Sequence, residues 1–536
     1  MIDRRGWRVI APALLRRTQV RRGKLKLAPR AEIQHPEGGS EISKRQRQAK
    51  APAFFILAAL AAFVAFAQEG DVAQRLAGRA LGATPMMADL QELCDRIGGR
   101  PTGSPACERA IEWAAAKFKA AGVDVVTTEP FTAPRRWAAV SAEARCLAPE
   151  EFAIRLVGAP GSPSTSGGLE APLVDAGEGT AESFAKLGER SRGAIALVHN
   201  PEMKTFDDLF AEYLKNAPLL AAAHQAQVAA LLIQSSRPRG LLYRHPMDLN
   251  GGFTAMPVAV ISREHAARLA RLAENGEVRV RLNLVNQTGG AYESRNVIGE
   301  IRGRERPDEI VLLGAHLDSW DLGTGAEDNG VNAAMVIDAA RGIRELQAKP
   351  RRTIRFVLFT GEEQGMWGSA GYVKRHAAEM DGHVAAVIFD TGSGRTTGFY
   401  LSGREDLRKP LEKALAAVAG LGVFENPVEG IDGTDNFDFL LSGVPNLVAN
   451  QDAIPYLPNY HAESDTFDKV NEREARANAA IATALVWKLA DDPERFGRRL
   501  TRAEVEKLVT DTKLDAQMKA FGQWDDFAAG RRGVSK

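Results

Sequence analysis

The sequence is short of three things, and each shortage removes a class of answer. Cysteine is nearly absent: Cys94, Cys107 and Cys146 are the only three in 536 residues. None has a histidine close by in sequence, so they make a poor zinc site and no metal argument rests on them. If the chain is exported a disulfide is permitted. Cys94 with Cys107 closes the shorter loop, and three buried thiols are the alternative. Net charge is the second shortage, with 69 Lys and Arg against 68 Asp and Glu. The balance is uneven, because residues 1–67 hold 14 basic and 4 acidic side chains. The body that follows is acidic, which argues against nucleic acid as its partner. The third shortage is long hydrophobic runs. Residues 51–67 form an uncharged apolar run of about 17 residues, at the short limit for a bilayer span.

That run follows Lys44, Arg45, Arg47 and Lys50 and ends in Ala65-Phe66-Ala67 before Gln68. A basic cluster, an apolar stretch and a small-x-small end are the layout of a cleaved export signal. The expectation is a secreted or periplasmic protein with no membrane partner once the signal is removed. A retained anchor at 51–67 is the alternative. The first 43 residues read as an Arg-rich leader, and no Arg pair abuts the apolar run as a twin-Arg signal would.

At this length two domains or more are expected. Residues 71–83, 88–97 and 105–121 carry helical spacing, and Gly122 stops the third helix. A β-branched strand follows at 123–131. Between 150 and 287 short strand-like runs (173–175, 194–199, 229–233, 258–261, 278–285) alternate with Gly and Pro clusters. With helices at 219–227 and 263–274, this reads as an inserted β-rich module that shapes access to a site elsewhere. From 296 onward buried strands at 296–301, 310–314, 353–360, 384–389 and 446–449 alternate with helices at 330–346, 369–378, 407–419 and 472–490. That pattern predicts an α/β fold: a mixed, mostly parallel sheet covered by helices on both faces. The expected divisions are a leader and signal at 1–67, the first part of the main domain at 68–149, the insert at 150–287, the site-bearing part at 288–490 and a helical extension at 491–536.

The chemistry lies just after the buried strands. Run 310–314 is followed by His316, run 353–360 by Gly361-Glu362-Glu363, run 384–389 by Asp390 and run 446–449 by a loop bearing His461. Asp328 enters from the loop that leaves His316. One polar residue after a strand means little, but in a parallel sheet several such ends converge on one rim. Imidazole and carboxylate donors suit Zn²⁺ and neighbouring divalent ions. A two-metal hydrolase needs a bridging carboxylate, further ligands for each ion, and a carboxylate outside the ligand set to take a proton from water. The assignment is Asp328 as bridge, His316 and Asp390 on one ion, Glu363 and His461 on the other, and Glu362 as general base. Asp318 would receive the second ring nitrogen of His316. Asp465 reads as a helix or turn cap. His199, His224, His245, His265, His376 and His383 lack ligand spacing and read as surface or core. The basic stretch 341–355 reads as a solvated face.

His-Leu-Asp at 316–318, Glu-Asp-Asn-Gly at 327–330, Gly-Glu-Glu-Gln-Gly at 361–365, Asp390 and Tyr-His at 460–461 resemble the M28 family of zinc metallopeptidases. The Leu-Asp-Ser-Trp-Asp context at 317–321 is most similar to the carboxypeptidase Q branch, whose members act as dipeptidases. The insert resembles the protease-associated domain found within many M28 enzymes. The resemblance implies a dinuclear zinc exopeptidase acting on peptides or dipeptides, a non-proline cis peptide at Asp328-Asn329, and a homodimer as one open oligomeric state. Asp435, in Gly433-Thr434-Asp435, resembles the family's (Ser/Thr)-Asp ahead of the last ligand and would shape the pocket; an Asx-turn is its other reading. Aminopeptidase, carboxypeptidase and dipeptidase action all stay open. So do a non-catalytic receptor-like relative, for which ligand loss is the discriminator, and a one-zinc cyclase.

Overall fold

The computed structural model describes residues 71–533; the leader, the apolar run 51–67 and the cleavage expected before Gln68 lie outside them. Among the described residues no helix is long and apolar enough to cross a membrane. Helices Val72–Leu81, Met86–Glu92 and Pro105–Ala121 come first. Pro105 sits in the first turn of the third helix, Ser104 caps it by accepting from the Cys107 amide, and Gly122 ends it at φ +74°. Strand β1 (Val125–Ala133) then opens the main sheet.

A second sheet follows: β2 (Arg136–Ala148), β3 (Phe152–Ile154), β4 (Leu156–Gly158), β5 (Leu169–Asp175), β6 (Ile195–Val198), β7 (Ala230–Gln234), β8 (Val258–Ile261) and β9 (Val278–Gly289). Its strand order is β3-β2-β9-β5-β6-β7-β8-β4. Strands β5 to β8 run parallel, and helices pack on both faces. Leu173, Ile195, Leu197 and Leu232 meet Ala266 and Leu269 of helix Arg263–Asn275. Val174, Ala196, Val198 and Leu231 meet Leu219 and Ala223 of helix Phe206–Gln225. The segment is thus an eight-stranded sheet with helices on both faces. The expected helix at 219–227 captures only the end of a 20-residue helix, because Pro218 lies inside it and reads as a start. Strand β2 was not expected at all. Its exposed positions are Arg136, Val140, Ser141, Glu143 and Arg145, which interrupt any apolar run.

The chain then returns through β10 (Tyr292–Ile301), β11 (Arg306–His316), β12 (Arg352–Phe359), β13 (His383–Ile388), β14 (Thr396–Tyr400) and β15 (Asn446–Gln451). The main sheet runs β1-β10-β12-β11-β13-β15-β14. Strands β12, β11, β13 and β15 are parallel; β1, β10 and β14 are antiparallel at the edges. Successive side chains of β11 face opposite layers, as a strand requires. Val311 and Leu313 pack under helices Pro105–Ala121, Val331–Glu345 and Glu472–Asp491. Leu312 points the other way, towards Tyr372 and Phe439. Three short helices, Arg502–Asp511, Leu514–Ala520 and Trp524–Ala528, close the described chain against Phe437 and Leu441.

Two expectations fail here. Cys94, Cys107 and Cys146 are all free and buried, with no disulfide; burial pushes the Cys94 thiol up to about 11. The basic stretch 341–355 is not a solvated face. Arg352 is fully buried and binds Glu309 at 2.5 Å, and Arg355 binds Glu300 and the Tyr372 hydroxyl at 2.6 Å each. Arginine's fork lets it enter a core when every N–H finds an acceptor.

Candidate metal centre

Three neighbouring parallel strands deliver the centre. His316 is the last residue of β11, Glu362 and Glu363 follow β12, and Asp390 follows β13. Since β12, β11 and β13 are adjacent and parallel, their carboxyl ends share one rim. Asp328 comes from the turn Ala326–Gly330, where the Asp328-Asn329 peptide is cis and non-prolyl. His461 arrives from the loop after β15.

Asp328 stands in the middle. Its Oδ1 lies 3.1 Å from His316 Nε2, and its Oδ2 lies 3.5 Å from His461 Nε2. His316 Nε2 is also 2.9 Å from Asp390, and His461 Nε2 is 2.8 Å from Glu363. Donor atoms of His316, Glu362 and Asp390 lie within 4.8 Å of one another, as do those of His316, Asp328 and Glu363. The structure brings these six residues together, with Asp390 against His316 and Glu363 against His461.

The donor set fits divalent ions on the geometry of its unsatisfied atoms. Asp328 Oδ2, Glu363 Oε1 and Asp390 Oδ1 are buried and carry no hydrogen bond. Buried charge without partners is costly unless a counter-ion is taken up. Burial pushes the Glu363 carboxyl well above its usual range, reinforced by Asp328. Glu362 moves the same way through burial, with His316 opposing and Asp390 adding. Burial holds His461 down at about 4, so its imidazole is neutral and able to donate a lone pair. His316 is driven up because burial is outweighed by Asp390, Asp318 and Asp328; metal binding would displace that proton.

Each ring nitrogen away from the centre meets a carbonyl. His316 Nδ1 lies 3.0 Å from the Asp318 carbonyl oxygen. The expectation for Asp318 needs correcting, because its carboxylate is 3.7 Å from that nitrogen and instead accepts from Thr102 Oγ1 at 2.7 Å. The Asp318 main chain, not its side chain, orients the ring. Asp435 is fully buried, with no hydrogen bond to either carboxylate oxygen. Burial raises it, with His316 opposing and Asp390 adding to the shift, and it is not among the residues lining the cleft beside the centre.

Sequence reasoning missed the residues that hold the Asp328 turn. Asp465 is not merely a turn cap: its carboxylate accepts from the Glu327 amide at 2.6 Å and the Asp328 amide at 3.1 Å. Burial, then Asp328, pushes it up to about 8. Arg100, fully buried, donates to the carbonyls of Thr324 at 2.7 Å and Gly325 at 2.8 Å and to that of Leu317. Glu327 accepts from the Ser393 amide at 2.7 Å and hydroxyl at 2.6 Å. Their sequence signals are weak, since Asp in a loop and Arg after Gly-Gly are common turn residues.

In front of the centre is a cleft lined on the main-domain side by Trp320, Glu363, Gln364 and Trp367 and on the other by Trp137, Pro160, Pro246 and Asp248. Such apolar walls beside a carboxylate-rich floor suit a small ligand with both kinds of group.

Residues 296–486 match the profile of Peptidase family M28. Carboxypeptidase Q of Homo sapiens is 28% identical over 443 residues, spanning 80% of this chain and 91% of the relative. Aminopeptidase YwaD of Bacillus subtilis (strain 168) is 25% identical over 411 residues, spanning 74% and 83%. The crystal structure of a Peptidase M28 precursor from Shewanella amazonensis SB2B is 30% identical, with a TM-score of 0.71, covering 80% of this chain and 98% of that one. BSAP, a zinc aminopeptidase from Bacillus subtilis, shares the fold with a TM-score of 0.60 at 20% identity, covering 78% and 97%.

Proposed function

This chain belongs to peptidase family M28 and is a metallo-exopeptidase, and we propose that it is an exported enzyme that cleaves the peptide bond beside a free terminus, with two divalent ions, zinc first among them. The observation that carries this reading is Asp328, whose two oxygens address the two histidines separately. One carboxylate shared between two donor sets is the arrangement a pair of ions requires. His316 and Asp390 would hold one ion, and Glu363 and His461 the other. Two histidines with carboxylates suit zinc, and BSAP is described as a zinc aminopeptidase. When bound, such ions polarise the scissile carbonyl and lower the pKa of water.

The chain's own residues do the rest. Glu362 is less enclosed than Glu363, reaches the His316–Asp390 side and is not needed to complete either histidine's set. It takes the proton from the attacking water and returns it to the leaving amine. The cleft walls hold the side chain next to the scissile bond, and Trp320, edge-on to His461 at 6.0 Å, bounds the floor. Exopeptidase rather than internal cleavage is expected because the similar proteins are a carboxypeptidase and an aminopeptidase.

A substrate panel on protein beginning at Gln68 tests this. Free dipeptides, N-blocked dipeptides and longer peptides are offered with zinc present. Hydrolysis of unblocked substrates is expected, and loss on N-blocking assigns amino- over carboxypeptidase action. Failure on every peptide with a free terminus contradicts the proposal.

A further inference from the structure

The two histidines are held from different directions. His316 is braced by its own loop, through the Asp318 carbonyl. His461 is braced from the second sheet's side of the molecule. Its Nδ1 lies 3.1 Å from the Arg244 carbonyl oxygen, and the Arg244 amide donates to the His461 carbonyl at 2.9 Å. Tyr243 and Ala462 form an antiparallel bridge, and the Glu463 amide donates to the Leu242 carbonyl at 3.1 Å. Residues 242–244 and 461–463 are thus laced together by main-chain hydrogen bonds. His461 has φ +56°, a left-handed conformation that a non-glycine residue keeps only where its surroundings fix it.

The Arg244 side chain reaches the other histidine's loop. Its Nε and Nη2 donate to the two Asp321 oxygens at 2.7 Å each, and Nη1 donates to the Gly158 carbonyl at 2.6 Å. Asp321 lies five residues after His316, in the loop that leaves β11. The Arg244 side chain is 4% exposed and that of Asp321 34%, so the guanidinium is enclosed and its bidentate fork fixes the geometry of the pair. Arg244 therefore touches the His461 loop with its main chain and the His316 loop with its side chain. Tyr213 supports the same segment, its hydroxyl 3.0 Å from that of Tyr460.

We propose that Arg244 is a positioning residue for the metal centre. A carbonyl can only accept, so its bond to His461 places the proton on Nδ1 and leaves the Nε2 lone pair for an ion. Its fork on Asp321 sets the separation of the two histidine loops. The segment between β1 and β10 is in this sense part of the centre as well as a wall of the cleft. The inference rests on the reading that ions bind at His316 and His461.

The test is Co²⁺ titration of the metal-free full chain, followed by visible absorption. Two equivalents are expected to bind the wild type. Arg244→Ala is expected to keep one and to bind the second about 10- to 100-fold more weakly. Arg244→Lys restores the charge without the fork, so partial recovery is expected. Asp321→Asn leaves Arg244 in place and should weaken the same ion, with the double variant no worse than Arg244→Ala alone. Should Arg244→Ala fail to fold, Asp321→Asn carries the test. If both variants bind two ions with wild-type affinity and only melt earlier, Arg244 is mere scaffolding and the inference is overturned. If the wild type itself fails to take up two equivalents, the two-ion reading falls first, and this inference with it.

Discussion

His461 Nε2 lies 2.8 Å from the Glu363 carboxylate, and Asp328 reaches both that histidine and His316 from opposite oxygens. Chemistry follows from this sharing, because removing the shared residue differs from removing a peripheral one. Asp328→Asn should lose both ions, while His461→Ala should lose one. Elemental analysis after gel filtration counts them, and equal counts in the two variants would refute the bridging role.

Asp465 acts on the same residue from behind. Its two oxygens accept the Glu327 and Asp328 amides, and an Asn side chain can accept only one of them. Asp465→Asn should therefore leave a buried amide unpaired, destabilising the fold by about 1–3 kcal/mol. Urea unfolding measures the loss. An unchanged midpoint would return Asp465 to the role of an ordinary turn residue.

Away from the centre, His383 predicts a pH dependence. It is fully buried between the Tyr372 hydroxyl at 2.8 Å and the Glu379 carbonyl at 3.0 Å. Burial lowers it to about 3, from an ordinary 6.5. Its folded value lies below its unfolded one, so between them the unfolded chain binds the extra proton. The stability it contributes is fully present above pH 6.5 and is lost as pH falls towards 3. Urea midpoints should fall across that window, and less steeply in His383→Gln. Identical slopes would show that His383 does not titrate as its burial requires.

Much of the main sheet was legible in the sequence, and the reason is physical. Strands β11, β12 and β13 carry buried apolar runs (310–313, 356–359 and 384–388). Where such a run stops, a His or acid stands at the rim, so His316, Glu362, Glu363 and Asp390 could be placed by strand order alone. His461 could be named but not aimed, because its direction depends on Arg244, more than two hundred residues earlier. Asp465 and Arg100 escaped for a similar reason: each acts on main-chain atoms of a distant loop, and such contacts leave no periodic trace. Strand β2 escaped because exposed Arg136, Ser141, Glu143 and Arg145 interrupt any apolar run. The arginines at 352 and 355 read as surface residues because composition cannot show that acceptors await them inside.

The central claim is that Glu362 moves the proton while its neighbours bind the ions. Glu362→Gln keeps the size of the side chain and removes its basicity. Turnover of a free dipeptide should fall by about 100- to 10,000-fold, with two ions still bound by elemental analysis. Wild-type turnover in a variant that retains both ions would contradict the account.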